Sequence, residues 1–430
     1  MSPRRTAAAL GSIWLAVVAA CAGAEPVRPA SGPSTPAGTG GTNDPSVYDR
    51  PHVVLVSFDG FHPAYLDRFE TPNFASLAER GMAAEGLVPV FPSLTFPSHY
   101  SIATGLYPGA HGIAGNRFWD PVRNDEFNYR DPEDPRDGSW WLGEPIWVTA
   151  EEQGMVAAAF FFPGTEAAIG GIRPSHYFPY DGSVPNRMRV AQTLDWLALP
   201  PERRPHVITL YFSLVDSNGH RLGPDHPGMR DSVETADGLL GDLMAGVDAL
   251  PHADRVALVV LSDHGMATPD PDLTETLPES VDLTDVRAVP AGPSISLHTG
   301  DDARSRALRD ALNAELTHAR AWLREELPEH LHARDNASLG EVMVIPDGAG
   351  MVQLPGGRAP PAGMHGWDPR LPSMHGIFFA VGPGIAEGVV LPPVEAVDVY
   401  PLIAHLLGLT PADGVAGSLE PFRPALRAAP

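Results

Sequence analysis

Three short, almost wholly apolar runs along the chain each lead into an aspartate. The runs and the aspartates that follow them are residues 53–58 with Asp59, residues 207–212 with Asp216, and residues 256–262 with Asp263. Such continuous runs are typical of strands buried on both faces of a parallel sheet. Ligands bind at the carboxyl ends of these strands in open α/β sheets, so we expect the three carboxylates to converge on one site.

Segments with helical spacing of apolar residues lie between and around these runs. The predicted helices are residues 73–80, 98–104, 186–197, 232–250 and the charged, alanine-rich residues 303–326. Strands that alternate with helices predict an α/β fold with a central, mostly parallel sheet sandwiched by helices. Residues from about 270 to 361 separate the last two polar motifs and are predicted to form a small inserted α+β subdomain.

The composition of the 430 residues narrows the classes of partner. Acidic residues exceed basic ones by 53 to 29, which gives a formal charge of −24. Such a surface repels duplex nucleic acid and anionic membranes, and a small anionic substrate would need bound cations. The 43 glycines and 47 prolines predict many tight loops, while a hydrophobic fraction of 43% is sufficient for a large core.

The N-terminal residues have the pattern of an export signal. Arg4 and Arg5 precede a mostly apolar stretch, residues 7–20, which is too short to span a bilayer comfortably. The stretch ends at Cys21, the chain's only cysteine, in a sequence similar to a bacterial lipobox. We expect Cys21 to be diacylated and to anchor a lipoprotein that faces the periplasm or the cell surface. The alternative is cleavage after Ala24, which would release a soluble periplasmic or secreted protein.

These features divide the chain into three parts. Residues 1–21 are predicted to be the signal peptide with its lipobox. Residues 22–50 are rich in Pro, Gly, Ser and Thr and are predicted to be a disordered linker. Residues 51–430 are predicted to form one catalytic domain, in contact with a membrane only through the lipid anchor.

Residues 91–99 place one hydroxyl group where it could act as a nucleophile. Thr95 lies just before a predicted helix start at Ser98, where free N–H groups and the helix dipole favour a phosphate oxygen. A threonine hydroxyl is a poor nucleophile until it loses its proton, which a bound zinc ion favours. We therefore predict Thr95 as the nucleophile, although it could be an ordinary loop hydroxyl. Three other hydroxyls remain as rivals: Ser93, Ser98 and Ser101.

Carboxylates and imidazoles recur at spacings that suit metal ligands. Asp216 and His220 are four residues apart, which brings both to one side of a helical turn. Asp263 and His264 follow a buried run directly, and His365 lies in a glycine-rich loop. Zinc takes about four such ligands, so these groups, the first aspartate and the threonine oxygen together suit two ions.

Ordinary structural roles are the alternatives for each of these residues. Asp216 could cap a helix and His220 could be a surface histidine. His365 could be a common loop histidine. His375 precedes a strand-like run, and we predict that it is structural or supports a metal ligand.

Five motifs in one order resemble the nucleotide pyrophosphatase/phosphodiesterase family of the alkaline phosphatase superfamily. The matching segments are residues 57–60 (SFDG), 92–99 (PSLTFPSH), 216–220 (DSNGH), 262–266 (SDHGM) and 365–368 (HGWD). The resemblance covers residues 52–426 and implies an alkaline phosphatase-like core for the catalytic domain. Each motif alone is modest evidence, but five in family order are specific.

The resemblance implies two zinc ions per chain and a covalent mechanism. The implied ligand sets are Asp59, Thr95, Asp263 and His264 for one ion, and Asp216, His220 and His365 for the other. The implied reaction is hydrolysis of phosphodiester or pyrophosphate bonds in nucleotides and related small diesters. It would pass through a phospho-threonine ester on Thr95, which water then cleaves.

The resemblance also implies residues that bind the substrate. Asn116 matches an asparagine that donates to a phosphate oxygen, and a neutral amide suits a diester. No arginine or lysine cluster stands beside the matched motifs, and we expect Arg117 to point away from the site. Phe96 and Tyr211 match positions that sandwich a nucleobase, and Tyr180 is a third candidate. Ordinary packing is the alternative for these aromatic residues.

The choice of substrate stays open at this point. Residues 374–376 and 212–215 depart from the family pattern, so a lipid headgroup or a glycerophosphodiester is the nearest alternative substrate. Monoester and phosphonoacetate hydrolysis use similar ligands. A sulfatase with a cysteine-derived nucleophile is excluded because Cys21 is far from every motif. A catalytically silent binding lipoprotein is disfavoured because no ligand of the set is missing.

Overall fold

The computed structural model describes residues 40–427. Its strands are β1 (His52–Phe58), β2 (Met82–Val88), β3 (Arg117–Asp120), β4 (Asp125–Asn128), β5 (Ala157–Phe160), β6 (His176–Phe178), β7 (Val207–Phe212), β8 (Val256–Leu261), β9 (Glu275–Thr276), β10 (Arg287–Ala291), β11 (Ser294–His298), β12 (Ala319–Leu323), β13 (Val342–Pro346), β14 (Val352–Gln353), β15 (Gly376–Val381), β16 (Val389–Leu391) and β17 (Val394–Glu395). Its α-helices are α1 (Ala64–Arg68), α2 (Pro72–Arg80), α3 (Thr95–Thr104), α4 (Pro108–His111), α5 (Ile146–Glu152), α6 (Asn186–Leu197), α7 (Leu214–Leu222), α8 (Met229–Asp248), α9 (Asp302–Glu315) and α10 (Val399–Leu407).

The central sheet has the strand order β16-β2-β15-β8-β1-β7-β5-β6, with β17 also paired to β2. β1 is parallel to both of its neighbours, and β5 and β6 continue the parallel arrangement. β15 is antiparallel to both of its neighbours. The predicted mostly parallel sheet is therefore confirmed. Ser57 of β1 lies opposite Tyr211 of β7 and Leu261 of β8, so the three strands end at the same level.

The two faces of this sheet belong to two separate cores, because side chains alternate along each strand. Val53 and Leu55 of β1 pack in one core with α3, α5 and α10. Val54, Val56 and Phe58 pack in the other core with α2, α6 and α8. Every residue of β1 is buried, which explains its continuous apolar run. Helices on both faces confirm the predicted sandwich.

Four of the five predicted helices are present with ends within about three residues, but the helix over residues 303–326 is wrong in its second half. α9 ends at Glu315, and Ala319–Leu323 forms β12, antiparallel to β13. Alternate residues of β12 are buried, a period of two that the charged, alanine-rich composition concealed. The side-chain amide of Asn313 holds the turn by bonding both the N–H and the carbonyl of Ala321.

Residues 270–361 contain a second sheet with the order β10-β11-β13-β12. Residues of α9 pack against this sheet in a core of their own, which includes Leu308 and Leu312. A separate hairpin, β3-β4, lies earlier in the chain, and its Phe118 and Phe127 rings stack at 5.1 Å. These additions lie outside the central sheet.

The predicted signal peptide and most of the predicted linker lie outside the described residues and stay predictions. The linker was predicted to reach residue 50, and that boundary is wrong. Asn43 is buried, and its side-chain amide donates to the carbonyls of Pro201 and Arg204 at 2.7 Å. These bonds, with the buried side chain of Val47, hold the segment against the catalytic domain. Across residues 40–427 we find no helix with the length and apolar character that crossing a bilayer requires.

Candidate active site

Asp59 follows β1 at the centre of the carboxyl edge, and the geometry requires glycine after it. Gly60 has a φ of +69°, a left-handed conformation that other residues rarely adopt. A Cβ atom at Gly60 would lie 2.8 Å from the Cα atom of Asp216. This close approach lets the N–H of Asp216 donate to the carbonyl of Asp59 at 3.0 Å. The Asp-Gly pair therefore brings the first two aspartates together.

Two further pairs of side chains join Asp59 in one cluster: Asp216 with His220, and Asp263 with His264. Asp216 and His220 lie one turn apart on α7, and Nε2 of His220 is 3.3 Å from Oδ1 of Asp216. Asp263 and His264 follow β8. Nε2 of His264 lies 3.1 Å from Oδ2 of Asp263 and 3.3 Å from Oδ1 of Asp59. Three strand ends therefore deliver five side chains to one place.

His365 joins the cluster from a loop far along the chain. Its Nε2 lies 3.2 Å from Nε2 of His220 and 3.6 Å from Oδ1 of Asp216. Its ring stacks on His264 with ring centroids 3.6 Å apart. All six predicted carboxylate and imidazole groups are therefore brought together. Two overlapping sets have the spacing of a metal site: Asp216, His220 and His365, and Asp59, Asp216 and His264.

Each of the three histidines is oriented by a hydrogen bond from its outer ring nitrogen. Nδ1 of His220 donates to the carbonyl of Gly363. In the same way, Nδ1 of His264 donates to the carbonyl of Gly265, and Nδ1 of His365 donates to the carbonyl of Ser93. Each of these distances is 2.8 Å. A neutral imidazole that donates through Nδ1 carries its lone pair on Nε2. The three Nε2 atoms are the ones that meet inside the cluster, as metal ligation requires.

The electrostatics of the cluster fit divalent cations. Oδ1 of Asp59, Oδ1 of Asp216 and Oδ2 of Asp263 are buried without a hydrogen-bond partner. Burial raises the pKa of all three carboxyl groups, and repulsion from neighbouring aspartates raises the pKa of Asp59 and Asp263 further. Burial lowers the pKa of His264 well below its usual value and that of His365 to about 3. Oxygen and neutral imidazole donors suit zinc, whose charge would compensate the buried carboxylates.

Thr95 is the one candidate hydroxyl that faces this cluster. Its Oγ1 lies 3.3 Å from Nε2 of His264, and it lines the cavity described below. The three rival hydroxyls are fully buried and do not line that cavity: Ser93, Ser98 and Ser101. Thr95 is also the first residue of α3, three residues before the predicted helix start.

Asn116 lies beside the predicted nucleophile. Its Oδ1 accepts a hydrogen bond from the N–H of Phe96 at 2.9 Å, and the residue lines the same cavity. The bond fixes the amide plane, which leaves the NH₂ group of Asn116 to donate to a ligand. The phosphate contact that the resemblance implies for this amide stays a prediction.

The cluster adjoins a cavity of about 840 Å³, and the rest of the cavity lining is a mixture of aromatic, proline and charged side chains. The aromatic lining residues are Phe96, Tyr129, Phe161, Phe162, Tyr180 and Tyr211. Tyr180 is 51% exposed at the mouth. Tyr211 is only 8% exposed, and its hydroxyl donates to Oδ2 of Asp59. Tyr211 therefore lines the cavity, as predicted, while its hydroxyl is engaged with the cluster.

Two arginines on the outer wall were missed by the sequence interpretation. Arg130 and Arg136 both line the cavity. Arg136 forms an ion pair with Glu166 at 3.0 Å, while Arg130 donates to a tyrosine hydroxyl. Arg117, which we expected to point away, pairs with Glu126 at 2.9 Å and does not line the cavity.

Phe161 and Phe162 were also missed, although the sequence carries a signal for them. They follow β5 and precede Pro163 and Gly164, so they stand where another buried parallel strand ends. β5 pairs with β7, and its end therefore reaches the same edge as the three aspartates. His375 does not line the cavity, and its predicted role, structural or in support of a metal ligand, stays a prediction.

Comparison with known proteins accounts for this arrangement. The protein-family model described as "Type I phosphodiesterase / nucleotide pyrophosphatase" matches residues 53–368 of this chain. The chain is 34% identical over 390 residues to a pyrophosphatase/phosphodiesterase of Schizosaccharomyces pombe, across 87% of this chain and 80% of the relative. The chain belongs to the nucleotide pyrophosphatase/phosphodiesterase family. The family predicted from the five motifs, and its hydrolytic class, are confirmed.

Other family members match over the same region. Human ectonucleotide pyrophosphatase/phosphodiesterase family member 1 is 34% identical, and the chain spans 43% of its length. The structure of murine ectonucleotide pyrophosphatase/phosphodiesterase 5 matches with a TM-score of 0.82 and 29% identity, over 87% of this chain and 100% of that chain. An inactive threonine-to-alanine variant of the murine protein has been solved in complex with AMP. The alkaline phosphatase-like fold is confirmed.

Proposed function

We propose that this protein is a two-zinc hydrolase that cleaves phosphodiester or pyrophosphate bonds of nucleotides through a phospho-threonine intermediate. One observation carries the proposal. Thr95 faces a cluster of three carboxylates and three imidazoles beside a cavity that six aromatic residues help to line. The proposed site residues are Thr95 and Asn116 at the reacting phosphate, Phe96, Tyr180 and Tyr211 at the nucleoside, and Asp59, Asp216, His220, Asp263, His264 and His365 at the metals.

Each proposed site residue has its own role in the reaction. Thr95 Oγ1 forms the new bond to phosphorus as the bond from phosphorus to the leaving oxygen breaks, and the hydroxyl proton passes to solvent. Asn116 donates from its amide to a phosphate oxygen, and its bond to the N–H of Phe96 keeps the amide in place. Water then cleaves the threonine ester and regenerates the hydroxyl. Zinc held by the cluster would favour the threonine alkoxide and neutralise charge on the phosphate and the leaving oxygen.

The aromatic walls support a nucleotide as the substrate. Stacking on aromatic side chains contributes about 1–3 kcal/mol per base and tolerates every base. Phe96 and Tyr180 both line the cavity, and the AMP complex of the murine relative supports the same class of ligand here. The neutral Asn116 beside Thr95 suits the single negative charge of a diester.

The test is a comparison of three chromogenic substrates with zinc-loaded protein. We expect the p-nitrophenyl ester of thymidine 5′-monophosphate to be hydrolysed much faster than p-nitrophenyl phosphate or p-nitrophenyl phosphorylcholine. Faster turnover of p-nitrophenyl phosphate would identify a monoesterase. Faster turnover of the choline ester would identify a lipid-headgroup phosphodiesterase.

We also propose that Cys21 carries a lipid anchor after export. The support is the lipobox-like sequence before Cys21, which lies outside the described residues. Mass spectrometry of the mature N-terminal peptide would show a diacylglycerol adduct. An unmodified N-terminus after Ala24 would show release as a soluble protein instead.

A further inference from the structure

Arg189 of α6 is a buried cation directly behind the wall of the substrate cavity. Its side chain is 2% exposed, and it forms no ion pair with any carboxylate in residues 40–427. A buried charge without an ionic partner costs several kcal/mol of stability unless its environment compensates it. The contacts of Arg189 therefore indicate what its burial achieves.

The guanidinium group bridges two backbone segments that line the cavity or adjoin it. Nη1 of Arg189 donates to the carbonyl of Tyr211 at 2.9 Å. Nη2 donates to the carbonyl of Val184 at 3.1 Å, in the loop that follows Tyr180. One rigid, planar group thus joins the end of β7 to the loop that carries the exposed aromatic residue at the mouth.

The same guanidinium supports a third wall residue. Its central carbon lies 4.9 Å from the centroid of the Phe161 ring, a cation–π contact. Phe161 has a φ of +65°, which is strained for a large side chain and persists only where its surroundings hold it. The ring of Tyr180 packs against the ring of Phe161, with centroids 5.2 Å apart.

The wall held by Arg189 is connected to the carboxylate cluster by one hydrogen bond. The hydroxyl of Tyr211 donates to Oδ2 of Asp59, while Oδ1 of Asp59 is left without a partner inside the cluster. The bond orients the Asp59 carboxylate. Arg189 therefore contacts the backbone of Tyr211, and the side chain of Tyr211 contacts Asp59.

We propose that Arg189 is a positioning residue that holds the nucleoside-binding wall of the cavity and registers it against the metal-binding carboxylates through Tyr211. The inference rests on the proposed hydrolysis of nucleotide diesters. It assigns to Arg189 the placement of Phe161, Tyr180 and Tyr211, and it assigns no contact between Arg189 and the reacting phosphate.

The test compares a substrate that has a nucleoside with one that lacks it. For Arg189→Met we expect KM for the p-nitrophenyl ester of thymidine 5′-monophosphate to rise at least about tenfold. With enough zinc to saturate the site, the kcat/KM for methyl p-nitrophenyl phosphate should change less than about twofold. Arg189→Lys should be intermediate, because it keeps the charge but loses the planar double donor. The matched control is Arg187→Met on the same helix, whose exposed side chain makes only a long ion pair at 3.6 Å and whose loss should change neither value.

The outcomes separate this inference from the proposed function. A wild-type protein that hydrolyses neither ester would overturn the proposed function. The inference would be overturned if the wild type is active but the Arg189 variants lose activity equally on both esters. It would also be overturned if these variants lose activity on neither ester. If Arg189→Met does not fold, the same comparison is made with Arg189→Lys, after its melting temperature shows that it is folded.

A second measurement tests the connection to the metals without any turnover. Tyr211→Phe keeps the ring and removes the hydroxyl that donates to Asp59. We expect zinc affinity, measured by competition with a chelator, to fall about 10- to 100-fold. Unchanged zinc affinity in Tyr211→Phe would overturn the connection between the wall and the cluster.

Discussion

The imidazole rings of His264 and His365 stack face to face, with centroids 3.6 Å apart and planes inclined by 13°. Two imidazolium cations in this arrangement would repel each other, so the stack favours uncharged rings. Each ring donates from Nδ1 to a backbone carbonyl, so both Nε2 atoms present lone pairs to the same cluster. The stack thus forms where two predicted metal-ligand motifs meet face to face.

Removal of metal should destabilise the protein. We expect two zinc ions per chain by elemental analysis, and we expect dialysis against a chelator to lower the melting temperature and abolish turnover. Zinc at about 100 times its dissociation constant stabilises the folded state by about 3 kcal/mol. His365→Ala should retain about one ion. A chelated protein with unchanged melting temperature and full activity would contradict the metal assignment.

Thr95→Ala should abolish turnover and leave the metals in place. The nucleophile is lost, so we expect kcat to fall at least about 10³-fold. The zinc content should stay at two ions per chain, because six other ligands remain. Thr95→Ser is the matched control and should retain measurable activity. Wild-type activity in Thr95→Ala would indicate water as the nucleophile.

Tyr180→Ala should weaken binding of the nucleoside. Tyr180 is 51% exposed at the cavity mouth, so its removal leaves the core intact. Loss of one stacking partner should raise KM for the thymidine ester about tenfold and leave methyl p-nitrophenyl phosphate unaffected. Tyr177→Ala, outside the cavity, is the control for general effects on stability. Equal KM in both variants would argue against a base-binding role.

The free energy of unfolding should fall as the pH drops below 6.5, in part because of His111. His111 is fully buried, and burial lowers its pKa from 6.5 to about 3. The unfolded state therefore binds more protons in this range, and stability rises with pH up to about 6.5. Between pH 7 and pH 5 this histidine should account for a loss of about 2 kcal/mol.

Chemical unfolding at the two pH values tests the role of His111. His111→Asn should be less stable at pH 7 but should lose about 2 kcal/mol less on acidification. Ser101→Ala is the control, because it removes the hydrogen-bond partner of His111 and leaves the buried imidazole to titrate. An identical pH dependence in wild type and His111→Asn would contradict the assignment.

Asp237 on α8 should be essential to the stability of α2. Its carboxylate accepts hydrogen bonds from the N–H groups of Asn73 and Phe74, in the first turn of a helix that has no side-chain cap of its own. Asp237→Ala should lower the free energy of unfolding by about 3 kcal/mol, because two buried donors lose a charged acceptor. Asp242→Ala, exposed on the same helix, should change it by less than about 0.5 kcal/mol. Thermal or urea unfolding of both variants gives the comparison.

The sequence alone was sufficient for the three central strands β1, β7 and β8, and for the grouping of the predicted carboxylates and imidazoles. Residues 53–58 and 207–212 are apolar at almost every position because both faces of their strands are covered, and burial on both faces leaves a mark in a single sequence. The aspartates at the ends of such strands follow from the rule that parallel strands end at one edge. Local spacing then placed Asp216 and His220 on one helical turn.

Only the tertiary structure shows that Thr95 faces the cavity while its three rival hydroxyls do not, since exposure to the cavity depends on neighbours that are distant in the chain. The same holds for the bond from Tyr211 to Asp59, which joins residues 152 positions apart. β12 was misread as helix because its pairing with β13 overrides a local preference for helix. Contacts between distant segments leave no periodic pattern in a single chain, so the folded structure alone decides how the cavity wall meets the carboxylate cluster.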